Sequence, residues 1–382
     1  MDFVNKFIAY FKNVKLNYEV ILQYALIVLS VSYACYRGFR MPGGWSENYY
    51  QISMFDGFFR RSFIGTLLSP LGCQRFNYFV IAFFQISVLF CVLSSLVIFA
   101  LRQKLWLYLI VYLFSDAGGF LFHEVGYVEQ FIYLLLIVEI YFISEKKYLI
   151  SAVVASASLL SSELAIMTSI PLMIVACVCA EHRINIRSLI LLLAPPIVIF
   201  VLQYAFFQTV SASTIERFVA LRSQCGFPMI RGDYLDVFST RYNTLSSISF
   251  TPWQIVFDVI PLMVLGIVTT ISIRMEKFAA FAVAYACIVP LAVGMLGWDS
   301  NRWLFLCYTN IFISLIIVRI FDNDSANLNK SKISVCLVMF FVVSLFLSIG
   351  YFDGFSPRKL NHTGFVGFIC YISKSINVVP KF

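Results

Sequence analysis

Residues 77–100 have the sequence NYFVIAFFQISVLFCVLSSLVIFA, which contains no charged residue. A helix of this length rises about 36 Å, enough to cross the hydrocarbon core of a bilayer, which is about 30 Å thick. Similar runs recur along the 382 residues, of which 60% are hydrophobic and only 13% are charged. A water-soluble domain of this size could not bury so much apolar surface. The sequence therefore predicts an all-α polytopic membrane protein.

The apolar runs predict about eleven transmembrane helices in a single integral membrane domain, 1–382, without an internal repeat. We place them at 19–36, 77–100, 105–122, 130–144, 148–160, 164–180, 188–208, 254–273, 278–296, 304–320 and 333–350. The run 148–180 has two interpretations, because a single helix there would be about 50 Å long, well beyond the hydrocarbon thickness. We favour two short helices that turn at Ser161-Ser162-Glu163, which places Glu163 at the outer rim.

The distribution of basic residues predicts the orientation. Each short loop on one side, such as 102–104 and 145–147, carries at least two basic residues, whereas 123–129 and 161–163 on the other side carry none. Because short basic loops stay in the cytoplasm, we expect a cytoplasmic N-terminus and segments 37–76, 209–253 and 351–382 on the outer face. The basic, amphipathic first 19 residues lack a small-residue cleavage site and are predicted to lie on the inner surface.

Arginine and lysine are segregated in this topology. The outer stretches 37–76, 209–253 and 297–303 contain ten arginines and no lysine, whereas the inner side is rich in lysine. A guanidinium is a rigid fork that binds phosphate or carboxylate through two parallel hydrogen bonds. The pattern favours an anion-binding outer face, although individual arginines could equally pair with Asp or Glu. The ten are Arg37, Arg40, Arg60, Arg61, Arg75, Arg217, Arg222, Arg231, Arg241 and Arg302.

The first outer segment contains the densest polar block, Asp56-Gly57-Phe58-Phe59-Arg60-Arg61-Ser62-Phe63-Ile64-Gly65. The apolar residues Phe55, Phe58, Phe59, Phe63 and Leu67 fall at helical spacing, so we expect an amphipathic helix on the membrane surface across 55–67. Asp56 and Arg60, with Arg61 beside them, would then line its polar side. The structural alternative is an interfacial helix with snorkelling arginines.

Acidic residues mark four further outer positions. Glu124 follows His123 at a predicted helix end, and Glu129 lies five residues later. An adjacent His and Glu can serve as acid and base, although a satisfied helix-end histidine is commoner, and the second His of a zinc motif is missing. Placing the charged carboxylate of Glu163 between two apolar runs costs free energy unless the group is paired or hydrated, which makes Glu163 a functional candidate. Asp299 could act in chemistry or simply cap the helix that carries Arg302.

These blocks resemble the multispan enzymes that assemble bacterial surface polysaccharide. The shared features are D-G-F-F-R-R-S-F-I-G at 56–65, an outer-rim Glu163 followed by Pro171, and G-W-D-S-N-R-W at 297–303. In architecture the chain is similar to the GT-C class of membrane glycosyltransferases and to Wzy-type O-antigen or capsule polymerases. The resemblance covers most of the chain as topology but only three short blocks as residues. It departs from the polymerase loop pattern, because nine residues rather than ten separate Arg222 from Gly232.

The resemblance implies a GT-C-like fold in the bacterial inner membrane, with a first periplasmic segment that carries an interfacial helix. It implies polymerisation or transfer of undecaprenyl-diphosphate-linked oligosaccharide units in O-antigen, lipopolysaccharide or capsule synthesis. A chain-length regulator protein is a further implied partner, and nucleic acid is not. The expected catalytic carboxylates are Asp56, Glu163 and Asp299. The expected substrate-binding residues are Arg60, Arg61, Glu124, Glu129, Arg217, Arg222, Arg231 and Arg302.

Several alternatives stay open at this point. A flippase or transporter of lipid-linked glycan would also need arginines, but it usually places charges within the spans, where this chain has chiefly Glu139 and Asp258. A membrane acyltransferase would need a catalytic histidine, and only His123 and His362 lie on the outer side. We expect no bound cofactor, although some GT-C enzymes use a divalent metal. Cys73 and Cys225 could form a disulfide, a pairing that sequence alone does not settle.

Overall fold

A computed structural model describes most of the chain. The described residues are 18–43, 46, 49–50, 52–70, 78–182, 184–206, 213, 216, 220, 250–272, 277–294, 299–321, 330–351 and 356–376. Within them, every regular element is helical. The all-α class predicted from the sequence is therefore confirmed for this part of the chain.

Fourteen helices follow one another in these residues. They are α1 (Tyr18–Gly38), α2 (Phe63–Leu68), α3 (Tyr78–Arg102), α4 (Trp106–Phe114), α5 (Asp116–His123), α6 (Val128–Ser144), α7 (Tyr148–Ser161), α8 (Ser169–Glu181), α9 (Ile186–Phe206), α10 (Pro252–Ser272), α11 (Lys277–Gly294), α12 (Ser300–Phe321), α13 (Lys330–Phe346) and α14 (His362–Ile376). A single 3₁₀ turn, Glu163–Ile166, precedes α8. The run 148–180 thus forms two helices, as the sequence predicts.

The number of helices that can cross a membrane by length and composition is smaller than expected. Among the described helices six pass this test, or seven if the bent pair α4–α5 crosses as one span, which makes the chain a multi-pass membrane protein. The sequence predicted eleven spans, which is more, because several predicted segments fold as helices that do not meet this test on their own. These are the two parts of the bent pair, together with α6, α7, α11 and α13.

Helix α12 occupies the centre of the molecule. In its most apolar stretch of 18 residues, 83% of the residues are buried. It packs against α8 and α11 and also contacts α4, α5 and α10. Asn310 lies at its middle and is fully buried. Its amide donates to the carbonyls of Met167 and Ala286, both at 2.9 Å, and its oxygen accepts from the Tyr133 hydroxyl at 3.3 Å. One polar side chain therefore ties α12 to α6, to α11 and to the turn before α8.

A sharp bend brings α5 towards the outer end of the bundle. The axes of α4 and α5 differ by 74°, and Ser115 between them has an extended backbone with ψ of 170°. The end of α1 crosses α5 at two glycines, where a β-carbon on Gly38 would come within 1.8 Å of the carbonyl oxygen of Gly119. This close crossing allows Arg37 to form an ion pair with Asp116 at 3.0 Å.

The predicted surface helix across 55–67 is wrong in its extent. Only α2 is helical, and residues 52–62 form turns. The helix cannot continue through this stretch because Gly57 has φ of 146° and Arg61 has φ of 61°. The aromatic residues consequently do not share one face, since Phe59 is buried and Phe55 is 81% exposed.

An amphipathic helix that the sequence did not predict lies elsewhere on the same end. Helix α14 exposes Phe365 and Ile369, while its Tyr371 hydroxyl donates to the Met41 carbonyl at 3.3 Å. Arg358, just before α14, donates to the carbonyls of Tyr36 and Phe39 at 3.0 and 2.8 Å. The C-terminal segment therefore docks on the end of α1, next to the outer charged residues.

Candidate functional site

The described outer stretches meet at one end of the bundle, where charged and aromatic side chains form a continuous group. We call this group the outer cluster. It contains Arg40, Tyr49, Arg60, Arg61, Glu124, Tyr127, Glu129, Glu163, Asp299 and Arg302. Residues from four separate stretches, 40–61, 124–129, 163 and 299–302, therefore contribute to one site.

Glu163 lies between the two arginines of the first outer segment. Its carboxylate forms ion pairs with both Arg60 and Arg61, and Arg61 Nε donates to Glu163 Oε2 at 3.2 Å. The positive φ of Arg61 turns its side chain towards the start of the 3₁₀ turn that carries Glu163. The expected cost of an isolated carboxylate between two apolar runs is thus compensated by two guanidinium groups.

Arg302 and Glu129 form the second ion pair of the outer cluster. Arg302 Nε donates to Glu129 Oε1, and the Glu129 side chain is only 2% exposed. Asp299 accepts a hydrogen bond from the Arg302 backbone N–H at 3.3 Å, so it caps α12, as one of the two sequence interpretations proposed. The cap fixes the first turn of α12 and, with it, the direction of the Arg302 side chain.

Two tyrosines connect these ion pairs, and the sequence analysis missed both. The rings of Tyr49 and Tyr127 lie 6.3 Å apart between centroids. The Arg61 guanidinium lies 5.9 Å from the Tyr49 ring, while Arg40 and Arg302 lie 5.9 and 5.6 Å from the Tyr127 ring. Since a cation is attracted to an aromatic face, these rings help to hold several positive charges close together. The contacts join residues far apart in sequence, so no local pattern could have indicated them.

Arg40 and Tyr50 hold the first outer segment against the turn between α5 and α6. Arg40 Nε donates to the His123 carbonyl at 3.0 Å, and the Tyr50 hydroxyl donates to the Gly126 carbonyl at 3.0 Å. The His123 ring stacks on Tyr351, with 4.6 Å between centroids. The turn 124–127 is thereby enclosed on several sides.

Glu124 lies in this turn and is 2% exposed. Burial raises the pKa of its carboxyl well above the usual value, and the negative charge of Glu129 raises it further, while Arg302 and Arg40 oppose this shift. The two glutamates therefore differ in character. Glu129 is paired with Arg302, whereas the pKa of the Glu124 carboxyl is raised.

Several buried polar atoms of the site have no hydrogen-bond partner among the described residues. They include the acceptors Glu124 Oε1, Glu129 Oε2 and Gln130 Oε1, the donor Trp303 Nε1, and both amide atoms of Gln85 beside Gly126. Buried polar groups are nearly always hydrogen-bonded in proteins, so such a concentration points to a bound polar molecule or to water. A ligand that satisfied these atoms would need both donors and acceptors, as a sugar has.

The remaining predicted residues lie apart from these contacts or beyond the described residues. Asp56 Oδ2 accepts hydrogen bonds from the Ser53 backbone N–H at 2.9 Å and from the Ser53 hydroxyl at 3.0 Å, which stabilises the turn 53–56. Outside the described residues lie Arg75, Arg217, Arg222, Arg231, Arg241, Cys73 and Cys225. In the part of the chain that the structure describes, no group of three or more His, Cys, Asp or Glu side chains is placed to hold a metal ion.

Comparison of the chain with protein-family models, with curated proteins and with solved structures gives no match. What the outer cluster does is therefore argued from its own chemistry.

Glu163→Gln provides a test of the charge balance. We expect this substitution to destabilise the protein by about 1–3 kcal/mol, because Arg60 and Arg61 lose their shared counter-ion. The measurement is thermal aggregation of the protein purified in detergent. Glu145→Gln, at an exposed position on the opposite end, serves as the matched control and should leave the transition unchanged. An unchanged or raised transition for Glu163→Gln would contradict the pairing.

Proposed function

We propose that this chain is a membrane glycosyltransferase that polymerises undecaprenyl-diphosphate-linked oligosaccharide units in O-antigen or capsule synthesis. The observation that carries the proposal is the outer cluster, a partly buried group of arginines, glutamates and tyrosines at one end of an apolar helical bundle. Transfer of a sugar from a lipid diphosphate requires an anion-binding group, a proton acceptor and surfaces that hold sugars. The cluster supplies guanidinium groups, carboxylates and aromatic faces within one site.

The arginines would stabilise the diphosphate as it leaves. Cleavage of the bond to the sugar concentrates negative charge on the diphosphate, and preorganised donors in a partly dehydrated site are effective at stabilising such charge. Arg60 and Arg61 share one carboxylate, Glu163, so the three side chains together retain a net positive charge. An incoming diphosphate can therefore bind this group with favourable electrostatics.

An apolar groove beneath the cluster supports a lipid-linked substrate. It is narrow and is lined by α3, α6 and α12, together with Leu121 of α5. Tyr133, at its upper end, lies one helical turn from Glu129, and Thr309 lies two turns from Arg302. From Thr309 to Ile320 the groove follows α12 for about 16 Å. A hydrocarbon chain in the groove would have its head group at the cluster.

The rival functions receive less support from the same structure. The carboxylate of Glu139, fully buried, accepts hydrogen bonds from Ser158 and Ser169, and Asp258 accepts one from the Ser348 backbone. Both intramembrane carboxylates thus stabilise contacts between segments, whereas a transporter needs charges along a pathway. An acyltransferase would need an accessible histidine, and His123 is 2% exposed.

The proposal also includes the topology. We propose that the eleven segments expected from the sequence each enter the membrane, the shorter helices crossing with the help of their neighbours. The outer cluster would then face the periplasm of a bacterial inner membrane, with the N-terminus in the cytoplasm. This arrangement places the cluster where lipid-linked units are joined and where a chain-length regulator protein could reach it.

Single cysteines test this orientation. In a background without the native cysteines, a cysteine at Leu360, 72% exposed beside α14, should react with an impermeant thiol reagent added to intact spheroplasts. A cysteine at Glu145, on the opposite end, should react only after the membrane is permeabilised. The reverse pattern would place the cluster in the cytoplasm and exclude a periplasmic reaction.

Arg61→Lys tests anion recognition. The substitution preserves the charge but loses the fork geometry, so we expect loss of most polymer, nearly as severe as with Arg61→Ala. The measurement is the surface polysaccharide ladder on a gel after complementation of a deletion strain, at matched protein levels. Lys359→Arg, an exposed change outside the cluster, is the control and should give a normal ladder. A normal ladder with Arg61→Lys would contradict bidentate recognition. Complete loss of surface glycan in the deletion strain, rather than single repeats, would favour the flippase.

A further inference from the structure

The outer cluster contains several carboxylates, but most of them already have a charged or structural partner. Glu163 pairs with Arg60 and Arg61, and Glu129 pairs with Arg302. These carboxylates neutralise the arginines of the cluster. The proton acceptor of the transfer is therefore better sought among the other acids.

Asp56 and Asp299 have structural roles that use their carboxylates. Asp56 holds the turn 53–56 through two hydrogen bonds from Ser53, and Asp299 caps the first turn of α12. Neither residue combines burial with a carboxylate oxygen shown to be available to a ligand.

Glu124 has this combination. It is 2% exposed in the turn between α5 and α6, and its Oε1 has no hydrogen-bond partner among the described residues. Its raised pKa, caused first by burial and then by Glu129, makes the carboxylate a stronger base than an exposed glutamate. The charged groups that act on it from the elements around the turn are Glu129, Arg302, Arg40 and Asp299.

The surroundings of Glu124 fit a polyhydroxylated ligand. Glu129 Oε2 and Gln130 Oε1 are further acceptor atoms without a partner in the described part of the chain. Sugar hydroxyl groups are donors that could satisfy them, and the buried Trp303 Nε1 offers a donor for a sugar oxygen. The arginines that would hold the diphosphate lie in the same cluster. An acceptor sugar at the turn would therefore lie close to the donor's reacting end.

We propose that Glu124 is the general base of the transfer and takes the proton from the acceptor sugar's hydroxyl group. This inference rests on the proposed function and names the base within the same site. In the step, the hydroxyl oxygen forms a bond to the anomeric carbon of the donor. The bond from that carbon to the diphosphate oxygen breaks, and the diphosphate leaves with the electron pair. The hydroxyl proton moves to the Glu124 carboxylate and afterwards to water.

Steady-state kinetics of the purified full chain test this role, with a synthetic undecaprenyl-diphosphate oligosaccharide as substrate. For Glu124→Gln we expect kcat to fall by roughly 10²–10⁴-fold, with KM changed only a few-fold. Because the base must be ionised, the wild-type kcat should rise with pH as Glu124 loses its proton, and Glu124→Gln should lose that rise. Glu145→Gln, on the opposite end of the bundle, is the control and should behave as wild type.

If Glu124→Gln fails to fold, the conservative variant Glu124→Asp still tests the role of the carboxylate. Glu124→Asp retains the carboxylate, so we expect reduced activity that still rises with pH. A wild-type kcat and pH profile in Glu124→Gln, or a pH-independent rate in Glu124→Asp, would overturn the assignment of the base. A wild-type protein that forms no glycosidic bond would instead overturn the proposed function, so the two failures are distinguishable.

Discussion

The compensation of buried charge at the outer end of the bundle is the constraint on which the site depends. A guanidinium or carboxylate without a partner is expensive in apolar surroundings, so each one requires an opposite charge or hydrogen bonds. Arg60, Arg61 and Glu163 satisfy this requirement together, and Arg302 and Glu129 form a second pair. Since the partners come from distant segments, these pairs fix the outer loops relative to the helices.

The same constraint separates the acidic residues into two kinds. Carboxylates that neutralise arginines stabilise the site, and their chemistry is limited by that role. Glu124 is buried near several charges but retains an oxygen without a partner among the described residues. A site that needs both anion binding and proton transfer benefits from this division, because one set of acids can maintain the charge balance while another changes its protonation.

The sequence predicted the features that depend on local composition. Apolar runs located the helices, and the turn at Ser162 divided 148–180 because one helix of that length would exceed the bilayer. The sequence also left open that individual outer arginines pair with acids, and Arg60, Arg61 and Arg302 do so. Three features were not predictable from local pattern, because each depends on tertiary contacts. These are the 74° bend at Ser115, the positive φ of Arg61 that ends the expected surface helix, and the stacking of Arg40 and Arg302 on Tyr127.

The central claim is that this chain forms glycosidic bonds between lipid-linked units at the outer cluster. The most direct measurement uses purified protein reconstituted in proteoliposomes with a synthetic undecaprenyl-diphosphate oligosaccharide, followed by mass analysis of the glycan and a parallel assay of lipid translocation. The account predicts products of two or more joined repeats, with release of undecaprenyl diphosphate. Translocation of the lipid-linked unit without any joined product would contradict it and assign the chain to transport.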